Sequence, residues 1–205
     1  MKKSKVMLFG AMALTAGLAL AACGSSQSSN ADKTYSYIFV NNPDTLDYIT
    51  STRDSTSSIT TNLIDGLLEN DQYGNLIPSM AESWTVSKDG LTYTYKIRQG
   101  AKWYTSEGEE YADVTAHDFV TGLKYAADKK AENLYLVQDS IKGLADYVEG
   151  KSSDFGTVGV KAVDDYTLQY TLNQPETYWN SKTTASILSP VNEAFLKSKG
   201  DDFGS

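Results

Sequence analysis

The chain has 205 residues, with 18 Lys and Arg against 26 Asp and Glu, for a formal net charge of -8. That balance argues against a nucleic-acid binder, which needs a cationic face to displace counterions from phosphate. With 40% hydrophobic and 11% aromatic residues the chain is too apolar to be a disordered acidic polymer. One Cys excludes a disulfide framework and any multi-Cys zinc or iron–sulfur site, and one His leaves little for a histidine-built metal centre or a Ser-His-Asp relay.

The first predicted element is an address. Lys2, Lys3 and Lys5 precede an apolar run from Val6 to Ala22 in which Thr15 alone is polar. The run is short for a membrane span and fits a secretory signal peptide over residues 1–22. Leu20-Ala21-Ala22-Cys23-Gly24 then resembles a bacterial lipobox, in which the Cys23 thiol is lipidated and cleavage leaves Cys23 first. The alternative is an ordinary signal peptide with an incidental Cys. Gly24 to Lys33 has no large apolar residue and reads as a flexible tether, so residues 23–34 are assigned to lipid anchor and linker.

The body begins with Tyr35 to Val40, an aromatic and β-branched run that reads as a strand and is broken by Asn42-Pro43-Asp44. Ser57 and Ser58 are placed to cap a helix whose apolar face is Ile59, Leu63, Ile64, Leu67 and Leu68. Trp84 to Val86 and Leu91 to Ile97 flank Asp89-Gly90, a hairpin signal, with Tyr93, Tyr95 and Ile97 on one face. Thr115 and Asp118 form a capping box ahead of a helix carrying Phe119, Val120, Leu123 and Ala126. A second helix is predicted through Ile141, Leu144 and Val148, stopped by Gly150. Val158 to Val163 and Tyr166 to Leu172 give another hairpin, and a short amphipathic stretch surrounds Phe195 and Leu196. Mixed strands and helices make the fold class α/β in the broad sense, a mixed α+β body.

Several residues invite a chemical reading. Ala145 to Ser152 matches a loose phosphate-binding loop, but it sits at a helix end and carries Asp146 and Glu149, which repel an anion. Glu107, Glu109, Glu110 and Asp113 suggest calcium or a glycosidase pair, yet the spacing is not that of a calcium loop and a solvated turn accounts for them. His117 lies in the first turn of its helix with no second His to share a metal. Trp84, Trp103 and Trp179 are candidates to stack a ligand, though large aromatics are core residues by default. No enzymatic chemistry, metal or cofactor is therefore expected. An extracellular hydrolase using the acidic cluster and a surface interaction protein stand as alternatives.

Residue order says more than any single site. Asp44-Thr45-Leu46-Asp47 is followed by Ile64-Asp65-Gly66-Leu67-Leu68-Glu69, then by Ile77-Pro78-Ser79-Met80-Ala81-Glu82-Ser83-Trp84. Next come Asp89-Gly90-Leu91-Thr92-Tyr93-Thr94-Tyr95-Lys96-Ile97-Arg98 and Gly100-Ala101-Lys102-Trp103. Val114-Thr115-Ala116-His117-Asp118-Phe119-Val120 and Val163-Asp164-Asp165-Tyr166-Thr167-Leu168 complete the series. In this order they resemble the oligopeptide-binding proteins of ABC importers, a solute-binding family that also takes dipeptides and nickel. The lipobox and Ser-rich tether are similar to those of the Gram-positive, streptococcal lipoproteins.

The resemblance implies a periplasmic-binding-protein-like type II fold, capture of extracellular peptides, and handover to an ABC permease. It implies a place on the outer face of the cell membrane, held to the bilayer through acylated Cys23. Family members are much longer and close two lobes on the ligand. This chain stops soon after Ser189-Pro190, so residues 35–205 are expected to form only part of the first lobe, with weakened binding. By position, the segment between the Leu-Asp motif and the first helix would supply main-chain contacts to the peptide. That places Thr52, Arg53 and Asp54 at the cleft, with Arg53 or Asp54 able to pair with a peptide terminus.

Overall fold

The computed structural model describes Ile38 and residues 41–205. The predicted signal peptide, Cys23, the tether and, Ile38 apart, the expected strand Tyr35–Val40 lie outside the described residues.

Seven residues form the first helix, α1 (Asp54–Thr60). Two short antiparallel strands come next, β1 (Leu68–Asn70) and β2 (Leu76–Pro78). Then come β3 (Ala81–Val86) and β4 (Thr92–Ile97), and a second small hairpin of β5 (Lys102–Tyr104) and β6 (Glu110–Asp113). The longest helix, α2 (Ala116–Asp128), is followed by a 3₁₀ turn at Glu132–Leu136 and by α3 (Leu144–Val148). Strands β7 (Val160–Asp164) and β8 (Thr167–Thr171) form the last hairpin. A short α4 (Trp179–Lys182), a 3₁₀ turn at Ser186–Leu188 and α5 (Glu193–Lys199) lead to the C-terminal residues.

The centre is a four-stranded antiparallel sheet in the order β3-β4-β8-β7. Its register sets Tyr93 opposite Tyr170 and Tyr95 opposite Leu168. Alternation therefore sends Tyr93, Tyr95, Ile97, Leu168 and Tyr170 to one buried face. Trp179 of α4 is fully buried against that face, 5.3 Å from the Tyr170 ring and 6.1 Å from Tyr93. Two of the three inner tyrosine hydroxyls are paired: Tyr93 donates to the Glu176 carbonyl at 2.7 Å and Tyr95 to Asn180 Oδ1 at 2.6 Å, whereas the buried Tyr170 hydroxyl has no hydrogen-bond partner. Beside them Glu176, 4% exposed at its side chain, pairs with Lys182 at 2.9 Å, and Lys182 also donates to Ser140 Oγ at 2.6 Å.

Helix α2 packs on β7 and β8 through Phe119, Leu123 and Ala126, which are fully buried. Its capping box forms as the sequence predicts, with the Asp118 carboxylate accepting from the Thr115 amide at 2.8 Å. The other face of α2 lies against the 3₁₀ turn at Ser186–Leu188. There Gly122 meets the Ser189 carbonyl so closely that a Cβ would stand 2.2 Å from its oxygen.

Two helices differ from expectation. The helix predicted through Leu68 ends at Thr60, and Leu68 is a strand residue. Leu67 and Leu68 are buried, but Leu63 is exposed, so the apolar pattern does not describe one helical face. The helix predicted through Ile141 begins only at Leu144; Ile141 instead bridges to Leu172 beside the sheet. It ends before Gly150, whose φ of 79° is the left-handed value that favours glycine.

Candidate functional site

The segment that precedes α1 is fixed by one buried carboxylate. Asp47 Oδ1 accepts from the amides of Ile49 and Thr50, at 3.0 and 3.1 Å. Its Oδ2 accepts from the Thr50 hydroxyl at 2.6 Å and the Tyr125 hydroxyl of α2 at 2.8 Å. The C-terminal end closes over the same segment: the Leu46 amide donates to the Gly204 carbonyl at 2.6 Å, and the Phe203 ring packs edge-on to Tyr48 and Tyr125. Tyr48 donates to the Pro190 carbonyl at 2.7 Å, and burial pushes its hydroxyl well above the ordinary tyrosine range. Residues 45–51 thus form a rigid support for Thr52 and α1.

Beside Thr52 lies an open hollow of about 440 Å³. Its walls are Ser51, Thr52 and Ser57 on one side, Glu132, Asn133 and Tyr135 of the 3₁₀ turn on the other, and Ser186 at the end. The Thr52 hydroxyl donates to Glu132 Oε2 at 3.0 Å and ties the two walls together. A second hollow, of about 340 Å³, lies along the C-terminal end of α1 between Tyr48, Thr60, Ile64, Glu69, Thr184 and Ser186. Ser186 lines both, and α1 contributes Ser57 to the first and Thr60 to the second, so the two hollows neighbour one another beside α1 and together make up an open shelf.

The three positions singled out in the sequence separate. Thr52 lines the hollow. Arg53 turns to Asp44, 3.2 Å away, with both side chains 68% exposed. Asp54 opens α1, where its carbonyl accepts from the Ser57 and Ser58 hydroxyls. Sequence reasoning missed Glu132, Asn133, Tyr135 and Ser186. The detectable signal was the buried pair Leu134 and Val137, three residues apart, which turns Glu132 and Tyr135 outward on a three-residue period.

The other candidates have structural roles. Glu110 and Asp113 flank Lys102 across the β5–β6 hairpin, at 3.7 and 2.7 Å, and Ser106 holds Glu107 below the usual carboxylate range. Among the described residues no group of three His, Cys, Asp or Glu is placed to hold a metal ion. His117 pairs with Asp165 at 3.4 Å on the surface. Trp179 is core, and Trp103 donates to Asp118 Oδ2 at 3.3 Å. The Gly150 loop comes after a helix rather than a strand, which is not the setting of a phosphate loop. Among the described residues no helix is long and apolar enough to cross a membrane.

Comparison with known proteins places this architecture. The model of the bacterial extracellular solute-binding proteins, family 5 Middle, matches residues 75–205. The oligopeptide-binding protein AliB of Streptococcus pneumoniae serotype 4 is 66% identical over 202 residues, which is 98% of this chain and 31% of AliB. The oligopeptide-binding protein SarA of Streptococcus gordonii is 64% identical over 210 residues, 99% of this chain and 32% of SarA. Among solved structures, Listeria monocytogenes OppA bound to peptide superposes with a TM-score of 0.71 at 34% identity, over 78% of this chain and 31% of that one. The substrate-binding domain of the oligopeptide ABC transporter from Bacillus anthracis str. Ames gives a TM-score of 0.71 at 37% identity, over 78% and 30%. The chain spans about a third of the length of these relatives. The mixed α/β fold, the order of the sequence motifs and the matched model agree: the chain belongs to the family 5 bacterial extracellular solute-binding proteins.

Proposed function

We propose that this chain builds one wall of the peptide-binding cleft of an oligopeptide ABC importer's receptor, as part of the first of two lobes. The observation that carries the reading is the pair of neighbouring open hollows beside α1, one next to Thr52 and one next to Thr60, with Ser186 lining both. The shelf is open, and its lining mixes hydroxyls, amides and carboxylates with apolar groups such as Ile64, Leu68 and the Tyr135 ring. Such a surface suits an extended peptide held by its main chain, with side chains accommodated loosely through water. Thr52 is the contact drawn from the resemblance that also lines the shelf; Arg53 and Asp54 would contribute through their backbone or at the rim. Streptococcal relatives named as oligopeptide-binding proteins and a listerial relative solved with peptide support the ligand class.

The rest of the function rests on the same reading. The receptor would work outside the cytoplasmic membrane, anchored through lipidated Cys23, and deliver peptide to a permease without catalysing a reaction. One wall buries much less than the roughly 70–90% of a ligand that a complete pocket covers, so binding by this chain alone is weak. Photo-crosslinking reads weak complexes. A pentapeptide carrying a benzophenone side chain should label residues 51–57, 132–135 and 184–186. Labels concentrated on the β5–β6 hairpin, or none above a scrambled control protein, would remove the proposal.

A further inference from the structure

Behind the shelf, one lysine joins two of its walls. Lys182 ends α4, and 22% of its side chain is exposed. Its ammonium lies 2.9 Å from the carboxylate of Glu176, whose side chain is only 4% exposed. Charge rather than a hydrogen bond holds this pair, because Glu176 Oε2 has no hydrogen-bond donor. The same ammonium donates to Ser140 Oγ at 2.6 Å and stands 5.1 Å from the centre of the Tyr178 ring. Neither Lys182, Glu176 nor Ser140 lines either hollow.

Each of the three groups belongs to a different part of the site. Glu176 is fixed to the central sheet, since its carbonyl accepts from the Tyr93 hydroxyl of β4. Ser140 is buried and follows the 3₁₀ turn at Glu132–Leu136 by two short steps: its amide donates to the Val137 carbonyl, and the Val137 amide to the Leu134 carbonyl, each at 3.0 Å. Lys182 leads into the shelf's end: its carbonyl accepts from the Ala185 amide at 3.1 Å, and the Ala185 carbonyl from the Leu188 amide at 3.0 Å. One ammonium thus connects the stretch carrying Glu132, Asn133 and Tyr135 to the stretch carrying Thr184 and Ser186.

A buried ion pair is a poor source of stability, because removing two charges from water offsets most of their attraction, and apolar residues of similar volume often do as well. Apolar residues cannot hold a third group by a directed bond. The Lys182–Ser140 contact is such a bond, strengthened by the charge on its donor. We propose that Lys182 is a positioning residue of the shelf: anchored by Glu176, it holds Ser140 and so sets the spacing between the wall at 132–135 and the end at 184–186. The ligand then meets a preformed surface and does not have to order it on binding. This rests on the reading of the shelf as a peptide site.

Two variants of the purified chain separate positioning from stability. Ser140→Ala removes the bond between the two stretches and leaves the ion pair whole. Glu176→Met/Lys182→Met removes both charges together, so that no buried carboxylate is left unpaired. Both should stay folded, Ser140→Ala with a thermal midpoint within roughly 6 °C of the parent. In backbone amide NMR without peptide, each should shift or broaden the amides at 132–135 and 184–186 as well as those beside the changed residues. With the benzophenone pentapeptide, labelling of those two stretches should fall roughly three- to tenfold, the loss expected if about a third to a tenth of the chains keep the competent spacing. Labelling equal to the parent's in either folded variant would overturn the role. So would amide changes confined to the neighbours of Ser140, Glu176 and Lys182, the pattern of a purely structural pair. Unfolding of both variants would make the pair a stabilising one and overturn it as well. If the parent chain itself is not labelled on the shelf, the peptide reading fails first and this inference falls with it.

Discussion

Asp47 is the residue on which the candidate site depends most. Its carboxylate is 5% exposed and accepts four hydrogen bonds, three from its own loop and one from Tyr125. Asp47→Ala leaves two amides, the Thr50 hydroxyl and the half-buried Tyr125 hydroxyl without their acceptor. The expected loss is roughly 2–4 kcal/mol, read as a lower urea midpoint. A loss under about 0.5 kcal/mol would mean the loop is held by the Phe203 cluster instead. Asp118 gives a pH prediction. Burial raises its carboxyl above the ordinary aspartate range, against the lowering by its bonds from Thr115 and Trp103. In the folded chain it thus holds its proton to higher pH than in the unfolded chain. Its contribution to stability is full below the unfolded value, near pH 4, and declines as pH rises through the raised folded value. Asp118→Asn should therefore flatten the fall in stability just above pH 4; an unchanged slope would contradict this. Single residues were partly legible in the sequence. The Thr115–Asp118 box was visible because its spacing is local. The roles of Asp47 and Glu132 were not, because their partners Tyr125 and Thr52 are 78 and 80 positions away.

Elements were legible where the signal is short-ranged and repeats. The β3–β4 and β7–β8 hairpins arise from alternation around Asp89-Gly90 and Asp164-Asp165. Helix α1 was overextended for a physical reason. The segment is dense in Ser and Thr, and their hydroxyls bond back to carbonyls of the preceding turn: Ser58 to Asp54 at 2.6 Å, Thr60 to Thr56 at 3.1 Å and Thr61 to Ser57 at 2.7 Å. Such back-bonding competes with regular helix, and the chain leaves it at Thr60 to build β1. Leu67 and Leu68 are buried by strand packing, which a helical period mimics over five residues. A very close approach between elements is that of α2 to the Ser189 carbonyl at Gly122. In an exposed helix Gly→Ala stabilises, but here the methyl meets a backbone oxygen. Gly122→Ala should cost roughly 1–3 kcal/mol, measured as a fall in thermal midpoint, and should move Ser186 at the shelf's end. A rise in the midpoint would show that the turn yields without strain.

For the whole molecule, the proposed peptide shelf and the proposed N-terminal address would serve one purpose. A receptor that hands peptide to a membrane permease gains from being kept near it, and the sequence puts Cys23 ahead of a Ser-rich run with no apolar anchor of its own. Each buried CH₂ of an acyl chain contributes about 0.8 kcal/mol, so a single chain holds marginally while two or more hold stably. The proposed diacylglyceryl group on Cys23 would be sufficient without any help from the folded body, whose net charge would repel an anionic bilayer. The proposed attachment would therefore be hydrophobic rather than electrostatic. Expressed in a Gram-positive host, the chain should sediment with membranes, resist extraction by about 1 M salt, and come off in non-ionic detergent. Cys23→Ala should release it to the medium or leave it as unprocessed precursor of higher mass, with the same fold by circular dichroism. If the variant sediments as processed protein that salt removes, the body itself binds the surface, and Cys23 is not the anchor.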